Sequence, residues 1–261
     1  MFAVDLPHAT RAIEIQAKGL GKTYRDRKTQ TVAFEDVTLD IYRGEFLAIV
    51  GPSGCGKTSL LRALTGLEQP SCGAVAINRA QVTHTPPFAM VFQEHGLLPW
   101  MSLRRNILFM LEQNTAMASS QRATIADSYL AQVGLSEFSH YLPHAVSGGM
   151  RQRISLARAF AFESDILVMD EPFIYLDFQT RIILHRLLIS LWQPNKKTVI
   201  FVTHDIEEAV MLADRVAVFS PHPGTIRQIV NIELAHPRDP ITTRKQERYT
   251  EYVDEVMGLL G

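Results

Sequence analysis

The sequence predicts an α/β fold: a largely parallel, helix-covered sheet behind a strand-rich N-terminal segment, with a mainly helical insertion. Three observations carry this prediction. Short runs at 46–50, 89–92, 165–169, 198–202 and 215–219, apolar but for Asp165, Thr198 and Arg215 at their first positions, read as buried strands. Helical patterns lie between them, notably at 147–162 and 177–192, and such alternation marks parallel strands joined by helical crossovers. The stretch from about 94 to 162 lacks a convincing strand and reads as the insertion.

The elements follow in order. Residues 1–12 read as a loose tail. Within 13–50, Ile13, Ile15 and Ala17 alternate with polar residues, as do Val37, Leu39 and Ile41, which is strand periodicity. The run ending at Val50 meets Gly51, and a helix is expected over 57–66, closed by Gly66. From Ala235, the text His236-Pro237-Arg238-Asp239-Pro240 breaks regular structure. Tyr249, Tyr252, Val253, Val256 and Leu260 then keep helical spacing, so a terminal amphipathic helix is expected. The organisation is therefore a main domain over 13–234 and a C-terminal extension over 235–261.

Composition narrows the function. The chain has 26 Lys plus Arg against 27 Asp plus Glu, a net charge of −1, which opposes a generic nucleic-acid binder. Hydrophobic residues at 46% and charged residues at 20% are globular proportions. Two cysteines make no disulfide framework and fit a reducing compartment. No apolar run approaches the roughly 18–20 residues of a membrane helix. The N-terminus carries Asp5 and Pro7 without a basic region, so no signal peptide is expected.

Gly51-Pro52-Ser53-Gly54-Cys55-Gly56-Lys57-Thr58 fits G-x-x-x-x-G-K-[ST], between an expected buried strand and an expected helix. Backbone N–H groups of such a loop wrap phosphates, and the helix N-terminus adds partial positive charge. Lys57 would reach the β- and γ-phosphates of a nucleotide, Thr58 would hold Mg²⁺, and Ser59 is counted with the loop. Gly21-Lys22-Thr23 is a decoy, because Gln16 stands where the first glycine belongs. The apolar run 166–169 ends in Asp170-Glu171, where the first carboxylate supplies a second Mg²⁺ contact and the next can polarise water. His204 follows another such run and falls at the same expected sheet edge. Ser147-Gly148-Gly149 opens a helix, either as an ordinary cap or as a second anion-binding N-terminus.

Together these residues resemble the ATP-binding subunits of ABC transporters over nearly the whole chain. The resemblance implies a P-loop NTPase with an N-terminal antiparallel β subdomain and an inserted helical subdomain. It implies ATP and Mg²⁺ as cofactors. Tyr24 would stack on adenine, and Gln93 would sense the γ-phosphate and Mg²⁺. Val146-Ser147-Gly148-Gly149-Met150 would be the signature, with Val146 where Leu is usual. Asp170 would hold magnesium, Glu171 would be the catalytic glutamate, Asp177 would cross the dimer and His204 would be the switch histidine. Ile174-Tyr175 departs from the small residues expected before Leu176-Asp177. The implied partners are a second ATPase subunit in a head-to-tail dimer, an integral permease and, indirectly, a solute-binding protein. The implied location is the cytoplasmic face of the membrane, held by the permease. Leu97, Leu98, Trp100 and Met101 are expected to line a groove for a permease helix. The segments 97–100, 141–144, 220–224 and 236–239 are similar to the nitrate, sulfonate and taurine importer group, with bicarbonate importers nearby. A DNA-repair or chromosome ATPase, and a nucleotide-regulated module that does not hydrolyse, are the alternatives. The first is opposed by the absence of a long coiled coil between P-loop and signature, the second by Lys57, Asp170, Glu171 and His204.

Overall fold

The computed structural model of the chain describes residues 11–26, 29–78, 86–93, 96–114 and 116–261. The expected N-terminal tail lies, but for residues 11 and 12, outside the described residues. In chain order the elements are β1 (Ile13–Arg25), β2 (Gln30–Tyr42), β3 (Phe46–Val50), α1 (Lys57–Leu64), β4 (Cys72–Ile77), β5 (Phe88–Val91), α2 (Leu103–Leu111), α3 (Ser119–Gln132), α4 (Gly148–Ala161), β6 (Ile166–Asp170), α5 (Phe178–Asn195), β7 (Thr198–Thr203), α6 (Ile206–Leu212), β8 (Arg215–Phe219), β9 (Ile226–Asn231) and α7 (Glu247–Leu260). The chain divides into two units. One comprises Met1–Gln81, Lys197–Leu234 and Lys245–Gly261; the other comprises Val82–Lys196 and Ala235–Arg244.

In the first unit, β1 pairs antiparallel with β2 and β4. The expected alternation sets the register: Ala17 faces Leu39 and Leu20 faces Val37, and all four side chains are buried. A second sheet places β3 between β7 and β8, parallel to both, with β9 antiparallel at its edge. Every residue of β3 is buried, as expected of a parallel strand covered on both faces. Each large aliphatic or aromatic side chain so buried contributes about 1.5–3 kcal/mol. The terminal helix α7 turns Tyr249 and Val256 inward, and Tyr249 Oη donates to the Glu207 carbonyl of α6 at 3.2 Å.

In the second unit, β5 and β6 pair in parallel, Phe88 opposite Ile166 and Val91 opposite Met169. The helices α2 to α4 occupy the stretch between these strands, and Ile154, Leu156, Ala157 and Phe160 of α4 are buried. The strand expected at 89–92 lies one residue earlier, since Phe92 is exposed and outside the ladder. The strands β4 and β9 were not legible in the sequence. Both are edge strands with mostly exposed or half-buried side chains; β4 carries only the short apolar run Ala74–Ile77, which by itself does not separate strand from helix, and β9 shows neither an apolar run nor a clean alternation.

A buried ion pair ties the turn before β3 to β8 within the first unit. Arg215 Nη1 donates to Glu45 Oε1 and Oε2 at 3.1 and 3.0 Å and to the Asp40 carbonyl at 3.1 Å. Glu45 also accepts the Tyr42 N–H at 2.7 Å. Burial pushes the Glu45 carboxyl up to about 7, against the lowering pull of Arg215. Removing one partner of such a pair costs about 3–5 kcal/mol, because the other is left buried and uncompensated. Arg215→Met should therefore lower stability by that order in urea denaturation. Arg215→Met combined with Glu45→Gln should recover part of the loss; a double variant as unstable as the sum of both single variants would refute the account.

Candidate functional site

The first unit builds a glycine-rich cradle at the carboxyl end of β3. Gly51 to Gly56 turn the chain from β3 into α1, with Gly54 and Gly56 at φ of 78° and 96°. Left-handed backbone of this kind suits glycine. A Cβ on Gly56 would lie 2.4 Å from the Ala33 carbonyl oxygen, whereas one on Gly54 would meet nothing within 4 Å. The loop thus packs backbone to backbone at Gly56 and leaves open space at Gly54. Gly56 is also the N-cap of α1 and offers no side-chain cap. By contrast, Ser102, Ser147, Asp177 and Asp205 cap α2, α4, α5 and α6 with their side chains. No capping side chain therefore stands between the first turn of α1 and an approaching anion.

Lys57 is buried, and its Nζ donates to the Gly51 and Pro52 carbonyls at 2.8 and 3.0 Å. The ammonium is drawn inside the loop. Pro52, Ser53, Gly54 and Thr58 are exposed on it, Ser59 is half-buried, and Cys55 is buried with its thiol pushed up by desolvation. Tyr24, at the end of β1, donates its hydroxyl to Glu68 Oε2 at 2.7 Å and meets Ser59 Oγ at 3.1 Å, which brings its ring to the start of α1. The β3–β7 register pairs Val50 with Thr203, so Gly51 and the exposed His204 leave the same sheet edge. The decoy Gly21-Lys22-Thr23 lies inside β1.

Gly224 completes the cradle, a role the sequence did not disclose. Its N–H donates to the Ala33 carbonyl at 3.1 Å, its carbonyl accepts the Glu35 N–H at 3.0 Å, and a Cβ there would sit 2.0 Å from the Cys55 carbonyl oxygen. The signal available was a glycine after a Pro-His-Pro run, a turn signature without a stated neighbour.

The second unit gathers the other candidate residues. Asp170 ends β6, and Glu171 follows at φ 44°, a left-handed conformation that costs a non-glycine residue roughly 1–2 kcal/mol. Because Val91 pairs with Met169, Gln93 and Glu171 stand level beyond the ends of adjacent parallel strands. Asp177 caps α5, accepting the Thr180 N–H at 3.0 Å and the Thr180 hydroxyl proton at 2.6 Å, and these bonds hold its carboxyl below the usual range. Ser147 caps α4 by accepting the Met150 N–H at 3.3 Å. Gly149 passes close to Thr180, whose Cγ2 would be 2.9 Å from an added Cβ, so the start of α4 and the start of α5 adjoin.

Trp100 is 71% exposed at the tip of a loop that two buried polar residues pin. Asn106 accepts the Leu98 N–H at 2.8 Å and donates to the carbonyls of Leu98, Met101 and Ser102. Arg158 donates to the Gly96 carbonyl at 2.6 Å. Sequence reading missed both, since a polar residue in a helical pattern gives no sign of what it bonds. Leu97, Leu98 and Met101 are half-buried.

A buried parallel strand, a glycine-rich turn and an uncapped helix with an inward lysine define the class: a P-loop NTPase fold. A family model described as ABC transporter matches residues 34–174. The nitrate import ATP-binding protein NrtD of Synechococcus elongatus is 37% identical over 244 residues, covering 92% of this chain and 89% of that protein. The taurine import ATP-binding protein TauB of Jannaschia sp. is 38% identical over 233 residues, covering 87% and 86%. Among solved structures, the dimeric ATP-binding cassette MJ0796 in a post-hydrolysis state bound to ADP and Pi superposes with a TM-score of 0.73 at 28% identity, over 85% of this chain and 100% of that one. The chain belongs to the ABC transporter family, as an ATP-binding subunit.

The glycine geometry makes a graded prediction. Gly56→Ala must displace the Ala33 backbone and should abolish nucleotide binding, with a large loss of thermal stability. Gly54→Ala meets no neighbour and should cost only the backbone term of about 1–2 kcal/mol. Equal effects in melting and nucleotide titration would contradict the packing described.

Proposed function

We propose that this chain binds ATP with Mg²⁺ and hydrolyses it to drive an importer through an integral membrane permease. The observation that carries the reading is the uncapped N-terminus of α1 beneath the Gly51–Gly56 turn, with Lys57 drawn inside. The donor chemistry fits the cation. Among the described residues no group of three or more His, Cys, Asp and Glu forms a metal cage. Mg²⁺ binds through one or two carboxylates and substrate phosphates, and prefers oxygen. Thr58, Gln93 and Asp170 offer a hydroxyl, a carboxamide and a carboxylate. Bound there, the cation would neutralise charge on the phosphate oxygens.

In this reading, residues 51–59 hold the phosphates, with Lys57 on the β- and γ-phosphates, and Tyr24 stacks on adenine. Glu171 orients the attacking water and accepts its proton, while His204 donates to the γ-phosphate. Glu171→Gln should retain ATP binding and lose about 10²–10⁴-fold in turnover, the worth of one general base. Near-normal phosphate release by that variant would end the assignment.

Ser147, Gly148 and Gly149, with Asp177, are assigned to the nucleotide of a second subunit in a head-to-tail pair. A two-fold pair supplies two such sites reciprocally. Mixing Lys57→Ala chains with Ser147→Arg chains should restore ATP occlusion at one site per mixed dimer, since the other site takes both defects. No occlusion in verified mixed dimers would leave Ser147 as a helix cap alone.

Among the described residues no helix is long and apolar enough to cross a membrane. We assign membrane attachment, at the cytoplasmic face, to the permease. The exposed Trp100 on its pinned loop supports a docking role for 97–101, since a core tryptophan would be covered. The NrtD and TauB likenesses support a small anion or organic solute as cargo, such as nitrate, sulfonate, taurine or bicarbonate, delivered by a solute-binding protein.

A further inference from the structure

Tyr175 stands where the family pattern has a small residue, and the structure gives its hydroxyl a partner. Gln93 Nε2 donates to Tyr175 Oη at 3.0 Å. Tyr175 itself is 74% exposed, so hydrophobic burial does not account for it. Its backbone is fixed on both sides. Phe173 is buried with its ring 5.3 Å from the His185 ring of α5, and its carbonyl accepts the Leu176 N–H at 3.2 Å. Asp177 then caps α5 through Thr180. The hydroxyl is therefore an oriented group on an anchored turn. Gln93 is the opposite case: half-buried, beyond the end of β5 and carried on a long rotatable side chain. Such a side chain loses much rotamer freedom when it must be held in place. Among the described residues, its Oε1 accepts no hydrogen bond.

We infer that Tyr175 is a positioning residue for Gln93. Its hydroxyl holds the carboxamide nitrogen, which keeps the amide level with Glu171 and leaves Oε1 for a cation arriving with nucleotide. The same bond links Gln93 to the turn that leads into Asp177, so movement of one is felt by the other. This rests on the proposed role of Gln93 toward Mg²⁺. The shared unit and the strand register make the juxtaposition local: Gln93 follows β5, Glu171 follows β6, and Tyr175 lies on the turn immediately after Glu171.

The test uses the full chain with Tyr175→Phe, Gln93→Ala and both together. Two readouts are taken: the side-chain NH₂ resonance of Gln93 in ligand-free protein, and the Mg²⁺ concentration needed for half-maximal binding of a fluorescent ATP analogue. Because Tyr175 is exposed, removing its hydroxyl should leave the melting temperature unchanged. The Gln93 resonance should move in Tyr175→Phe before any metal is added. The Mg²⁺ requirement should rise about 2–10-fold, the worth of one ordinary hydrogen bond. In the Gln93→Ala background, Tyr175→Phe should have no further effect. An unmoved resonance, an unchanged or lowered Mg²⁺ requirement, or additive effects in the double variant would overturn the inference. If Gln93→Ala itself leaves the Mg²⁺ requirement unchanged, the Gln93 reading fails instead, and the inference falls with it.

Discussion

The constraint on which the first unit depends is the close approach of backbone at the end of β3. A Cβ on Gly51 would be 2.8 Å from Phe219 Cβ, one on Gly56 2.4 Å from the Ala33 carbonyl, and one on Gly224 2.0 Å from the Cys55 carbonyl. Two segments distant in sequence, around Ala33 and over 219–224, thus converge on one loop because three residues lack side chains. The gain is chemical. A loop packed through backbone keeps side chains from crossing the cradle, and successive backbone N–H groups in such a turn suit an anion. The surrounding strands make that convergence rigid. β3 and its neighbours β7 and β8 are buried along their lengths, so the loop begins on an element with little room to move.

Parallel register does the next part of the work. In parallel neighbours, residues just past paired positions emerge at one edge, which is where ligands bind in open α/β sheets. Val50 opposite Thr203 delivers Gly51 and His204 together in the first unit. Val91 opposite Met169 delivers Gln93 and Glu171 together in the second. Neither pairing needs a contact between the side chains concerned. The ladder aligns them, and the apolar runs that fix the ladder are therefore as necessary to the chemistry as the polar residues that end it.

This explains what was legible in the sequence. Apolar runs and the glycine pattern are local signals, so β3, β6, β7, β8, the cradle and the cap Ser147 could be read from neighbours along the chain. Edge strands such as β9 carry no such signal, since only one flank pairs and the faces stay mostly exposed. The ends that a pattern leaves open are decided by pairing: β5 stops at Val91 because Phe92 has left the ladder. The role of Gly224 against Cys55, and of Asn106 beneath Trp100, depends on approach across the fold. Tyr175 shows the limit most clearly. The sequence marks it as a departure from a pattern of small residues, but only the structure shows the Gln93 carboxamide at its hydroxyl.

Strain and burial meet in the short turn after β6. Glu171 is held left-handed, and the next residue is Pro172, whose ring fixes its own φ. Such a backbone persists only where surrounding contacts over-determine it. Phe173 supplies them, almost wholly buried and stacked edge-on against His185. The burial of one phenylalanine, about 1.5–3 kcal/mol, is of the same size as the backbone penalty it offsets, about 1–2 kcal/mol. The direction in which the Glu171 carboxylate leaves the chain is thus set by main-chain geometry, and only secondarily by its own rotamers. In the role proposed for Glu171, a carboxylate aimed in this way is already oriented when substrate arrives. That preorganisation is a reason for a non-glycine residue to occupy a position where glycine would sit without strain, since glycine would bring no carboxylate.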